Sequence, residues 1–125
     1  MTDAASKWIT AYRHAWESND PGDIGALFTD GALYYNEPFS EPARGRDAIV
    51  ARWLERQDDP GTTTFTWKLL SEVDGLAFVQ GETDYGVAKY SNLWVIRFAP
   101  SSQSASPEAT EFTEWWMDQS KPSSA

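Results

Sequence analysis

The chain has 125 residues, with 10 Lys and Arg against 19 Asp and Glu, a formal charge of −9. That length suits one domain with its own core, and the absence of cysteine excludes a disulfide scaffold, a thiolate metal site and a thiol nucleophile. A single His excludes a multi-histidine metal site within one chain, and the acidic balance, without any Lys/Arg cluster, argues against nucleic acid or an anionic membrane as partner. No apolar run approaches the roughly 18 residues of a membrane span. The opening MTDAASKWITAYRH lacks the basic start and apolar middle of a signal peptide, so a cytoplasmic protein is expected. More informative are the 7 Trp, 5 Tyr and 6 Phe, rings that need a core, a cavity or an interface to cover them.

From Ala4 to Ser18, Trp8, Tyr12, Ala15 and Trp16 recur on one helical face, with Asp3 as the expected N-cap. Asn19 to Gly22 end that helix, and Asp20 followed by Pro21 opens a short second one with Ile24, Leu27 and Phe28 inward. Ala32 to Glu37 reads as a strand closed by Pro38, and a loop runs to Gly45. Ile49, Val50, Trp53 and Leu54 predict a third helix over 46–57, stopped by Asp58, Asp59, Pro60 and Gly61. Beyond Gly61 the period becomes two: strands are predicted from Thr62 to Val73, bent across the sheet, then Leu76 to Tyr85, Ser91 to Phe98 and Thr110 to Met117. The Ser/Pro-rich stretch between the last two has almost no apolar anchor, so a mobile loop is expected there, and a frayed tail over 119–125.

Helices first and antiparallel strands last mean an α+β domain. The order of the short PGDI helix, the LYYNEP strand, the RGRDAIVARW helix and the SNLWVIRF and EFTEWWMD strands resembles the NTF2-like superfamily, in its ketosteroid isomerase and SnoaL-like branch, over about Trp8 to Asp118. The resemblance implies a single domain of conical, cystatin-like shape. In it a strongly bent antiparallel sheet wraps around three N-terminal helices and encloses an apolar pocket. The last two strands carry apolar residues on both faces, Leu93 and Val95 against Trp94 and Ile96 and Trp115 and Met117 against Phe112 and Trp116, so whichever face turns away from the helices needs cover, and a homodimer through that outer face, common in the family, is expected.

Carried over from that family, the donor on helix one falls on Tyr12, and the general base, an acid preceding a proline, falls on Glu37 once a residue is inserted in the strand. At the position of the family's second, acidic oxyanion donor stands Trp94, so that donor is either absent or replaced by the indole N–H. Such a pair abstracts a proton beside a carbonyl and stabilises the enolate. The pocket wall is expected to draw on Trp16, Tyr34, Trp53, Glu82, Trp94, Glu114 and Trp116. Period two leaves open whether Gln80, Glu82 and Asp84 or Ala77, Val79, Gly81 and Thr83 face inward. A core role for Tyr12 and a surface role for Glu37 are equally compatible with the sequence. His14 is expected to be exposed, on the helix side away from Trp8 and Trp16. No metal or cofactor is expected, and the ligand would be a small hydrophobic molecule. Two functions follow: a cofactor-free isomerase, cyclase or lyase acting on a carbonyl compound, or a non-catalytic binding or dimerisation module.

Overall fold

The computed structural model describes residues 4–100 and 106–121. The expected N-cap Asp3, part of the expected loop and most of the expected tail lie outside them. Helix α1 spans Ala4–Ser18 and α2 Pro21–Gly25; β1 covers Phe28–Tyr35, β2 Ala43–Arg44 and α3 Arg46–Glu55; β3 to β6 run Thr64–Val73, Leu76–Asp84, Lys89–Phe98 and Ala109–Asp118. The six strands form one sheet in the order β2-β1-β6-β5-β4-β3. No helix among the described residues is long and apolar enough to cross a membrane.

The side chain of Asp20 accepts from the N–H groups of Gly22 and Asp23 and so caps α2. Trp8, Ile9, Ile24, Leu27, Phe28, Ile49, Ile96 and Phe112 fill the core where the helices meet the concave face. Trp8 is fully buried, and its Nε1 donates to the Leu27 carbonyl at 2.8 Å, which satisfies the one polar atom of the indole.

Four details differ from the sequence-based expectations. Leu27 and Phe28 leave the second helix: β1 begins at Phe28, and Ala109 N donates to the Leu27 carbonyl at 2.8 Å. The residues read as loop before Gly45 include β2, two residues paired with Leu33 and Tyr34, too short to show any period. The sheet is antiparallel except between β1 and β6, where Tyr34 pairs with Phe112 and Tyr35 with Thr113 in parallel. The long chain between those strands supplies the crossover that a parallel pair requires. The expected mobile loop is anchored in its described part: Pro107 is buried, Ala99 N donates to the Glu108 carbonyl, and Glu108 meets Arg46 at 3.4 Å.

Candidate active site

Between α1, α3 and the concave sheet face lies a cavity of about 530 Å³. Period two decides its wall. On β4, Ala77, Val79 and Thr83 are buried while Gln80 and Glu82 are exposed; on β5, Asn92, Trp94 and Ile96 are the buried set; on β6, Phe112 and Glu114 share the inner side with Trp116. The small residue Gly81 lets Phe65 of β3 lie against β4, where its ring stacks on Trp94 at 4.7 Å and 16°.

Among the described residues, Glu114 is the one carboxylate on that inner sheet face that lines the cavity. Its Oε2 accepts from Asn92 Nδ2 at 2.7 Å and from Trp94 Nε1 at 3.0 Å. Asn92 is itself oriented, since its Oδ1 accepts from Thr83 Oγ1 at 2.7 Å. Three adjacent strands thus fix one carboxylate oxygen and direct neither donor to the other, Oε1. Burial raises the Glu114 pKa above its ordinary value, and the bonds from Trp94 and Asn92 offset only part of that rise. The group is therefore a better proton acceptor than a solvated glutamate and, once protonated, a usable acid.

Across the same cavity two phenols meet. Tyr12 of α1 and Tyr34 of β1 are buried and share a hydroxyl-to-hydroxyl hydrogen bond of 2.9 Å. Phe112 stacks on both rings. Burial holds the Tyr12 pKa well above its ordinary value, with smaller contributions from Tyr34 and from the negative charge of Glu114. Tyr34 is raised by burial and Glu114 as well. Both therefore remain neutral hydrogen-bond donors across the working pH range, which suits them to an oxyanion and not to base chemistry.

At the mouth, the connection between α3 and β3 is tied to α1. Trp16 Nε1 donates to Asp58 Oδ2 at 2.8 Å, Asn19 Nδ2 to the Asp58 carbonyl at 3.0 Å, and Gly61 N to Glu17 Oε2 at 2.8 Å. The Arg13 guanidinium lies 4.4 Å over the Trp16 ring. Tyr85, beyond β4, lines the same opening with its pKa pushed up to about 12, chiefly by burial. No group of three or more Asp, Glu or His able to hold a metal ion occurs among the described residues.

Residues 9–117 match the SnoaL-like domain. This chain belongs to that family. No curated protein matches it. Among solved structures it is similar to an NTF-2-like protein of unknown function from Burkholderia xenovorans LB400 (TM-score 0.69, 14% identity, 96% of this chain and 90% of that one). It is also similar to a steroid delta-isomerase from Pseudomonas aeruginosa (0.67, 13%, 96% and 84%). A third likeness is to a protein assigned as a scytalone dehydratase from Novosphingobium aromaticivorans DSM 12444 (0.67, 14%, 98% and 88%). At those identities the likeness establishes the NTF2-like, cystatin-like fold and leaves the chemistry to the site.

In this SnoaL-like domain, Tyr12, Trp16, Tyr34, Trp53, Trp94, Glu114 and Trp116 line one cavity. Glu37 and Glu82 do not. Tyr34 and Asn36 face the cavity, so Glu37 has the opposite parity; past the end of β1 it turns back to accept from Ser40 Oγ at 3.0 Å. The expected base is thus placed outside the pocket. Glu82 falls on the outer face of β4, where it accepts from Gln119 Nε2 at 2.9 Å. The Trp94 indole N–H is also not a free donor, because Glu114 accepts it. Trp94 and Glu114 are register partners on β5 and β6, so the acid missing from β5 is found directly across the ladder. His14 is exposed and lies 3.2 Å from Asp23. Sequence reasoning passed over Asn36 and Asn92 and held Thr83 only within one of two open faces; Thr83 and Asn92 share the parity of Val79 and Trp94, which was their only signal.

Proposed function

We propose that this SnoaL-like domain is a cofactor-independent enzyme, an isomerase, cyclase or lyase, that moves a proton on a small, largely apolar carbonyl compound. The observation that carries the reading is a half-buried carboxylate, Glu114, with a raised pKa, facing the same cavity as the hydrogen-bonded Tyr12 and Tyr34 hydroxyls. Glu114 takes a proton from the carbon beside the carbonyl. The electron pair of that C–H bond moves to the oxygen, and Tyr12, held by Tyr34, hydrogen-bonds the enolate. The protonated Glu114 then returns the proton to another carbon, or to a departing group. Asn92 and Trp94 position the carboxylate, and Thr83 positions Asn92.

The test needs no knowledge of the natural substrate. Catalysed exchange of the α-protons of 2-tetralone in D₂O, followed by NMR, should be accelerated by the wild type and lost in Glu114→Gln. Tyr12→Phe should slow it on the order of 10²-fold. Exchange that is absent in the wild type, or unchanged in both variants, refutes the assignment and leaves a ligand-binding or dimerisation module.

The partner surface is a separate proposal. On the outer sheet face, Trp115 and Met117 are 41% and 64% exposed beside half-buried Leu93 and Val95. We infer that a second copy covers this stripe, giving a homodimer. Light scattering at micromolar concentration should show a dimer in the wild type and a monomer in Trp115→Glu; a monomeric wild type refutes it.

A further inference from the structure

The cavity mouth carries charge of both signs. Helix α3 brings Arg52, in its last turn, and Arg56, at its C-cap, to the lining. Elsewhere Arg13, Arg44 and Arg46 are tied to carboxylates. These two are not. Arg52 Nη1 donates to Asn36 Oδ1 and to the Glu41 carbonyl, both at 3.2 Å and both uncharged acceptors. The Arg56 side chain is exposed and makes no hydrogen bond or ion pair among the described residues, its backbone N–H alone donating to the Trp53 carbonyl. A cation near a helix C-terminus complements the helix dipole from any face. That effect does not require both side chains to border the same cavity.

The acids facing this space are Asp58 and Glu114. Asp58 is held by Trp16 Nε1, and its charge acts on Tyr85, beyond β4. The charge of Arg56 acts instead on Tyr34 of β1, the strand that also brings Asn36, the partner of Arg52, to the lining. Arg52 and Arg56 thus border the same lining as Tyr34 and Asn36, while Asp58 is engaged by Trp16. A guanidinium presents a planar fork of donors that matches a carboxylate, and two within one helical turn can share one. In a protein of net charge −9, an anion is repelled by the whole and attracted only at such a point.

Building on the proposed reaction, we propose that Arg52 and Arg56 form a recognition site for an anionic end group, so that the substrate is a small apolar carboxylic acid. Its carboxylate sits at the mouth and its reacting carbonyl at Tyr12. A cavity of about 530 Å³ accommodates such a molecule.

The matched probes are 4-phenylbutyrate and the uncharged 4-phenylbutanamide, titrated calorimetrically against the full chain at pH 7. The acid should bind roughly tenfold tighter than the amide, as a charge-assisted contact predicts. Arg56→Gln, an exposed position that the fold does not rely on, should abolish most of that preference, and Arg52→Gln should weaken it further. Raising the salt should weaken binding of the acid and leave the amide unchanged. Equal or tighter binding of the amide, a preference that survives in Arg56→Gln, or no binding of the acid below millimolar overturns the proposal. The readout is binding without turnover. Glu114→Gln should retain the acid preference whether or not it loses exchange activity, so this inference and the catalytic reading fail separately.

Discussion

Replacing Gly81 by Ala tests whether the contact of Phe65 with β4 sets the cavity wall. An added Cβ would lie 2.6 Å from Phe65 Cζ, 2.7 Å from Cε1 and 3.1 Å from the Thr66 carbonyl oxygen. Carbon contacts are favourable only from about 3.5 Å, so the ring must retreat by about 1 Å. It is stacked on Trp94, which is 2% exposed and donates to Glu114, so that retreat either breaks the stack or disturbs the carboxylate. Overpacking of this kind costs about 1 to 3 kcal/mol, and the stiffer unfolded chain returns about 0.4 to 1 kcal/mol, since Gly81 is outside the left-handed region. Taking the middle of both ranges, the net loss of about 1.3 kcal/mol should lower the Tm by roughly 3 to 8 °C in a chain of this size. Calorimetry would measure it in the wild type and in a Phe65→Ala background, where the same substitution should cost under about 0.5 kcal/mol. A shift below about 1 °C in the wild type, or an equal shift in both backgrounds, refutes the reasoning.

Burial raises the Glu114 pKa, so the folded state binds its proton more tightly than the unfolded state, and the charged form costs stability. That cost is absent below the unfolded pKa and grows as pH rises towards the folded value. Glu114→Gln should therefore gain stability over the wild type at pH 8 and little at pH 4, as read by urea denaturation; a pH-independent gap counts against it. Tyr34→Phe removes the hydroxyl partner of Tyr12 and, with it, two of the effects that raise the Tyr12 pKa. Ultraviolet titration should find Tyr12 ionising at lower pH than in the wild type, with a stability loss of about 1 kcal/mol; an unchanged titration would separate the two phenols.

Periodicity made the elements legible because each buries one face. Helix α1 ends where Asn19 takes a positive φ, and the Asp74–Gly75 turn joins β3 to β4 as the sequence indicates. What period two cannot supply is absolute phase. Leu76 to Asp84 offers two candidate inner faces, and only the opposing register, Val79 against Trp94 and Thr83 against Tyr90, selects one. Glu37 fails for a related reason: an acid before proline is a local pattern, whereas facing a cavity is a matter of parity, and Tyr34 and Asn36 hold the inward places. Glu114 was legible as an inward residue through Phe112 and Trp116. Its tuning was not, because Asn92 and Trp94 reach it from another strand. The parallel pairing of β1 with β6 left no local trace, since each strand reads alone as an ordinary edge.

That pairing also orders events during folding. Strands β3 to β6 form a local meander whose hairpins can close early, whereas β1 must wait for a partner from the far end of the sequence. Tyr34 is on β1 and Glu114 on β6, with the Tyr34–Phe112 pair between them in the ladder. The last seam to close is therefore the one that brings Glu114 and Tyr34, the proposed base and the partner of the proposed donor, together. A chain still emerging from the ribosome holds the tyrosines well before it holds the carboxylate, so the cavity's polar wall is complete only once β6 is made.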